Sequence, residues 1–312
     1  MKQKQKIVFV ISASVVCAAS AVAVLAKLYY HNRTPRISFS DWIAVKSIQP
    51  DNDTLRFAVA SMVSAEETWV TYKELVGYVA AAIGDKVSMI LRPSYSDVRT
   101  LLEENKVDLA LVCTGTYIAC LQTGKVELLV VPDFEEGIEY RCLFIVRVDS
   151  GIKSISDLHG KSFAFTDAES HTGCAVPSWV ISEQGFEPES YFSKTIYTSS
   201  HDRSIHAVVN GIVDGASVDS LVFHSFAKTH PELTKQLQVI WRSEVFGAPP
   251  ILVPATLPEK TKERLAATFL TMSQNAQGRE ILADLDIEHF RKAKPDEYNS
   301  ARAIWKAIGH QE

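Results

Sequence analysis

Residues 86–115 read KVSMILRPSYSDVRTLLEENKVDLALVCTG. "KVSMILR" (86–92) is an apolar run with the length of a buried strand. "SYSDVRTLLEENK" (94–106) places apolar residues at helical spacing, and Ser94, three residues before Asp97, is positioned to cap it. "VDLALVCTG" (107–115) is strand-like again and ends in a turn of small residues. Strand, helix and strand with short connections form a βαβ unit, the building block of a parallel sheet covered by helices.

The same alternation extends in both directions. "LRFAVAS" (55–61) reads as a strand, and "TWVTYKELVGYVAAAIG" (68–84) as a helix stopped by Gly84. After residue 115, "TYIACLQTG" is a short helix and "VELLVVPD" a strand. A long apolar segment, "EYRCLFIVRVDSG" (139–151), then intervenes, and the alternation starts afresh. "SFAFTDA", "SKTIYTS" and "VDGASVD" are strands; "CAVPSWVISEQG", "DRSIHAVVNG" and "SLVFHSFAKTHP" are helices. A second long apolar segment, "LQVIWRSEVFG" (237–247), precedes a tail that reads as helical. Two α/β lobes, one inserted in the other, need two crossings, expected near 139–151 and 237–249. The expected division is 54–145 with 246–312 in lobe 1, and 146–245 in lobe 2. Such a clamp holds ligand in the cleft, beyond strand ends and at helix N-termini.

The chain has 312 residues, 46% hydrophobic and 22% charged, enough apolar material for two cores. Its formal net charge of −5 and the lack of a basic stripe with interleaved aromatics exclude a nucleic-acid binder. The N-terminus carries Lys2, Lys4 and Lys6, and then Ile7 to Ala26 runs without a charge. A helix of about 20 apolar residues spans a bilayer. The lysines mark the cytoplasmic end, which places the rest outside. Residues 1–29 are therefore expected to be a transmembrane signal anchor or a cleavable signal peptide, and 30–53 a polar tether. Val24-Leu25-Ala26 would serve as a cleavage site in the second case.

Cys113, Cys120, Cys142 and Cys174 follow in the exported part, with no CxxC and no histidine at ligand spacing. No metal or other cofactor is expected. The cysteines are open to disulfide pairing, which the exported compartment permits, or to burial as small hydrophobes.

Three strand-to-helix turns stand out: "CTGTY" (113–117), "ESHTG" (169–173) and "TSSHD" (198–202). Each is rich in Ser, Thr or Gly. One reading is ordinary helix capping. The other is an anion cradle, since the first turn of a helix leaves N–H groups unpaired, hydroxyls add donors, and glycine lets backbone come close.

At this point the chain resembles a known family. "SYSDVRTLLEENKVDLALV", "TDAESHTGCAVP", "SSHDRSIHAVVNGIVDGASVDS" and "VIWRSEVFGAPPILV" are similar, in order and spacing, to phosphonate/phosphite/phosphate ABC-transporter substrate-binding proteins. The resemblance covers residues from about 54 to 295. It implies a type 2 periplasmic-binding-protein fold, two α/β lobes on a hinge of two crossing segments, that hands a small oxyanion to a membrane permease with its ATPase. Carried over by position, it implies ligand contacts from Ser170, His171, Thr172 and Gly173, an oxyanion donor at His201, and Tyr95 closing from the first lobe. Thr114 and Thr116 fall in the first-lobe turn, and Asp219 falls near the ligand. His171 stands where the family has a hydroxyl residue, and Cys113 where it has glycine. Ala248 occupies the place of an ammonium-binding aspartate, which favours a small oxyanion such as phosphate, phosphite or a simple phosphonate.

The resulting expectation is a non-catalytic solute-binding component outside the cytoplasmic membrane. A membrane-anchored sensing subunit that signals through a separate partner is the alternative. An enzyme with Cys174 or Ser170 as nucleophile and His171 or His201 as base lacks a nucleophile elbow and a carboxylate to orient the base. Trp179, Trp241 and Trp305 read as packing residues.

Overall fold

The computed structural model describes residues 54–84 and 86–309, so the expected N-terminal helix and tether lie outside the described residues. Eleven strands form two sheets among the described residues. They are β1 (Thr54–Ala60), β2 (Lys86–Arg92), β3 (Leu109–Leu111), β4 (Val126–Phe134), β5 (Cys142–Arg147) and β6 (Ser162–Phe165). The others are β7 (Lys194–Tyr197), β8 (Gly215–Asp219), β9 (Leu237–Arg242), β10 (Ile251–Pro254) and β11 (Ile287–Arg291). The first sheet has the order β11-β4-β10-β3-β1-β2, and the second β7-β6-β8-β5-β9. The chain therefore crosses between sheets at 135–141 and again at 243–250. The two long apolar segments expected to be the crossings contain strands β5 and β9, hydrogen-bonded to each other in the second sheet. The crossings overlap the expected segments at 139–141 and 243–249, and the rest of each segment is mainly strand.

The opening stretch folds as its pattern dictates. β2 pairs parallel with β1 from Thr54↔Lys86 to Ala60↔Arg92. Helix α1 (Ala65–Ile83) precedes β2, and Gly84 ends it at φ 68°, a left-handed conformation that glycine adopts without strain. α1 buries Leu75, Val76, Val79 and Ile83, spaced to share one face. Each such burial is worth roughly 1.5–3 kcal/mol. Helix α2 (Tyr95–Glu103) starts at Ser94, whose hydroxyl accepts the Asp97 N–H at 3.1 Å. Helix α3 (Thr114–Leu121) follows β3 after only two residues. Helices α4 (Val176–Ser182), α5 (His201–Val209) and α6 (Ser220–Thr229) belong to the second lobe; α7 (Glu259–Leu270) and α8 (Ala276–Asp284) pack on the first sheet, and α9 (Asn299–Ala307) packs on α3 and on α4 of the second lobe.

Neither sheet is purely parallel. The strands that follow a crossing, β5 and β10, run antiparallel to both their neighbours, and β11 runs antiparallel to β4. β11 also interrupts the tail that reads as helical. The second sheet is buried on both faces: Phe144 and Phe163 enter the main core, while Ile145 and Ala164 enter a smaller one with Ile205, Val208 and Val218. All four cysteines after residue 100 are free thiols; Cys113, Cys120 and Cys142 are buried and Cys174 is partly so. The described residues contain no helix long and apolar enough to cross a membrane.

Candidate functional site

The second-lobe turn begins where β6 ends. Ser170 caps the following helix, its hydroxyl accepting the Gly173 N–H at 3.0 Å. The helix opens as one wide turn, His171–Ala175, in which the Ala175 N–H reaches the Ser170 carbonyl at 3.0 Å. A bond of this i→i+5 type swells the turn and displaces the backbone, a feature common at functional sites. Gly173 is required there: a Cβ would lie 2.5 Å from Thr166 Oγ1 and 2.8 Å from Ser170 Oγ.

His201 starts α5 and is fully buried. Its Nδ1 takes the Asp219 backbone N–H at 3.2 Å and faces Thr166 Oγ1 at 3.1 Å. A backbone N–H can only donate, so Nδ1 is the acceptor and the ring proton sits on Nε2. Nε2 faces Ser170 Oγ at 3.4 Å, long enough to leave this donor weakly engaged. His171 is fixed in the same tautomer. The Trp305 indole N–H donates to His171 Nδ1 at 3.1 Å, and His171 Nε2 has no protein partner. Phe246 from the second crossing packs against this ring edge-to-face at 4.4 Å. Burial lowers both histidines to a pKa of about 3, so each is a neutral N–H donor at physiological pH.

Asp219 caps α6 through Oδ1, which accepts the Leu221 and Val222 N–H groups at 2.6 and 3.4 Å. Burial nevertheless raises its pKa to about 7. Tyr95 from α2 is completely buried, its hydroxyl has no protein partner, and its N–H donates to Asp167 Oδ2 at 3.3 Å. In the first-lobe turn, Thr114 Oγ1 donates to the Gly247 carbonyl at 2.8 Å, while Thr116 Oγ1 is buried without a partner.

The two lobes meet across these residues. His201 N–H donates to the Met62 carbonyl at 2.9 Å, and Ser64 N–H to Asp202 Oδ1 at 3.0 Å. Arg99 pairs with Glu169 at 2.9 Å. Gly115 makes the closest approach: a Cβ there would stand 2.1 Å from the Glu169 carbonyl oxygen and 2.6 Å from the Trp305 ring.

Capping accounts for only part of the three turns. Ser170 caps, but the Thr172, Thr116 and Ser200 hydroxyls are buried with no protein partner. A buried polar group without a partner costs about 1–3 kcal/mol, so a group of them on facing turns marks a place built for something else. Sequence reasoning missed three neighbours. Tyr140, in the first crossing, lies beside the Thr114 and Thr172 hydroxyls. Trp305 is 134 residues from the histidine it orients, and Phe246 is 75 away. Nothing local in the sequence links any of them to the turns.

The comparisons agree with this architecture. Residues 57–298 match the family described as "ABC transporter, phosphonate, periplasmic substrate-binding protein". The Escherichia coli K12 phosphonates-binding periplasmic protein is 24% identical over 265 residues, 83% of this chain and 78% of that one. Among solved structures, a binding-protein component of a Pseudomonas aeruginosa ABC phosphonate transporter superposes with a TM-score of 0.77 at 24% identity, over 81% of this chain and 86% of its own. A Prochlorococcus marinus protein in complex with methylphosphonate gives 0.76 at 18% identity, over 84% and 100%. The fold is thus the two-lobed α/β fold of periplasmic binding proteins. The chain belongs to the periplasmic substrate-binding family of phosphonate ABC transporters, a family that binds solutes.

Proposed function

We propose that the chain captures a small phosphorus oxyanion, phosphate, phosphite or a phosphonate, between its lobes and delivers it to an ABC permease and ATPase. The observation that carries this reading is the set of buried, partner-free donors on both lobes: Tyr95 Oη and Thr116 Oγ1 from the first, His171 Nε2 and Thr172 Oγ1 from the second. With Ser170, Gly173 and His201 they form a cradle of neutral donors, and Thr114 ties the first-lobe turn to the hinge. Lobe closure exchanges water for these fixed dipoles. Asp219, neutral for part of its population near pH 7, suits an anion that keeps a proton better than one that has none.

The proposed division is one lobe on each sheet, joined at the two crossings. Residues 1–29 serve as membrane anchor or export signal, on the strength of the lysine-flanked uncharged run.

Calorimetric titration of the full-length chain with phosphate, phosphite, methylphosphonate and sulfate tests the ligand. Binding of at least one phosphorus oxyanion, with sulfate weaker, is expected. No binding of any of them at millimolar concentration refutes the reading. Fractionation of cells tests export, and recovery of the domain from the cytoplasm would refute that part alone.

A further inference from the structure

Cys113 stands at the N-cap of α3, yet its side chain does not cap the helix. It is buried, and its sulfur lies 3.8 Å from the Tyr140 hydroxyl of the first crossing. The N–H groups of Gly115 and of His171, the second from the other lobe, lie against the same sulfur. These amides belong to the first turns of two helices that meet at the lobe seam: a Cβ on Gly115 would stand 2.9 Å from the His171 nitrogen. Cys113 therefore meets the first crossing and the second-lobe turn from its own place in the first.

The groups around the sulfur are those of the cradle. A negative charge on Cys113 would raise both the Tyr95 and the Tyr140 phenols, and Asp219 raises the thiol in turn, so the four acidic groups share one region. Tyr95 Oη is fully buried without a partner there, and Thr172 Oγ1, also partner-free, lies beside Tyr140. Burial pushes the Cys113 thiol up to about 11, which leaves it uncharged at physiological pH.

A buried neutral thiol behaves as a small hydrophobe with a weak S–H donor. Hydroxyl and imidazole donors elsewhere in the cradle can each hold an oxygen. The wall at Cys113 holds one poorly, because the sulfur covers two amides that would otherwise do so. Phosphite and methylphosphonate carry three oxygens and one apolar substituent, hydrogen or methyl. Phosphate carries four, and a fourth oxygen against sulfur loses its water without a strong donor in return.

We infer that Cys113 is a specificity-determining residue: its thiol receives the non-oxygen substituent of a three-oxygen phosphorus anion and disfavours the fourth oxygen of phosphate. The inference rests on the cradle reading above and adds to it the residue that discriminates among the anions such a cradle can hold.

The test is a titration of the full-length chain with phosphate, phosphite and methylphosphonate at one pH. The quantity read is the preference for the tighter of the last two over phosphate. In wild type that preference should be about tenfold or more, the difference made by one hydrogen bond to a charged group. Cys113→Ser puts a hydroxyl donor in place of the sulfur and should reduce the preference about tenfold by tightening phosphate. Cys113→Ala uncovers the Gly115 and His171 amides and should also reduce it, which keeps the test open if the serine variant fails to fold. A thiol that only supports the fold would change the affinity for all three anions together. An unchanged preference in a variant that still binds therefore overturns the inference. Wild type binding phosphate as tightly as phosphite and methylphosphonate overturns it too, and leaves the cradle intact. Binding of none of the three by wild type overturns both readings.

Discussion

Thr172→Val separates a ligand-binding hydroxyl from a structural one by the sign of two effects. Thr172 is fully buried, and its hydroxyl has no partner that meets hydrogen-bond geometry. Valine keeps the shape and removes only the polar atom. In the ligand-free protein this deletes a donor that gains nothing from burial, and an unsatisfied buried group costs about 1–3 kcal/mol. Thermal stability without ligand should therefore stay the same or rise by a few degrees, at about 2–4 °C per kcal/mol for a domain of this size. Binding should move the other way. A hydrogen bond to a charged group is worth about 1.5–3 kcal/mol, so affinity for the oxyanion should fall roughly 10- to 100-fold. Thermal unfolding and calorimetry on the same preparation read both quantities. A variant that loses several degrees while binding normally would refute the reasoning, because the hydroxyl would then serve the fold.

Three further outcomes follow from the geometry. Gly115→Ala places a Cβ against the Glu169 carbonyl of the other lobe and the Trp305 ring of its own, so binding should fall by more than about 100-fold and ligand-free thermal stability should fall as well; normal affinity would show that the lobes need not approach this closely. Trp305→Phe removes the N–H that holds the His171 tautomer and should weaken binding about threefold to tenfold, roughly the worth of one neutral hydrogen bond, as titration will show. Asp219 has its pKa raised by burial, so its carboxylate form grows as pH rises through about 7 and opposes the ligand; wild-type affinity should decline between pH 6 and 8 relative to Asp219→Asn, measured with one ligand across that range. For ligand-free stability the signs differ. Asp219 contributes most below its unfolded pKa and loses that contribution as pH rises through about 7. The depressed His171 and His201 lose theirs as pH falls from about 6.5 toward 3.

What was legible in the sequence depended on range. α2 with its Ser94 cap, and β2, are set by neighbours within four residues, and both appear where the pattern puts them. β11 was not legible: "IEHFR" buries only Ile287 and Phe290, with no strand-like alternation, and is a strand because β4, more than 150 residues earlier, offers it an edge. β10, at four fully buried residues, is likewise defined by its two neighbours. The long segments taken for crossings illustrate the same limit. Apolar length reported correctly that β5 is buried, whereas β9, at the sheet edge, is only half-buried, and a strand and the chain that leaves it for the other sheet look alike in sequence. The three turns could be read because hydroxyl and glycine content is local, and the tautomers of His171 and His201 could not, because Trp305 and Asp219 set them from a distance.

The proposed cradle contains no lysine or arginine, and this leads to one more measurable consequence. Arg99, which reaches across to the second lobe, is taken up by Glu169 and Glu103. Both site histidines are neutral, and the chain as a whole carries a formal charge of −5. Attraction must then come from N–H and O–H dipoles at contact distance, including the amide groups of helix N-termini. Dipoles at contact are excluded from solvent once the lobes close, whereas a field from surface charges is screened over about 8–10 Å at physiological ionic strength. Raising ionic strength from about 0.05 to 0.5 M, a range over which the screening length shrinks roughly threefold, should therefore change the dissociation constant by less than about twofold. Potassium gluconate is the suitable salt, since its bulky anion does not mimic the ligand. Any small change should favour binding, because screening weakens the repulsion between the ligand and an acidic protein. A tenfold loss of affinity at high salt would mean that a cation holds the anion after all, and would return the search to Arg99 and its partners.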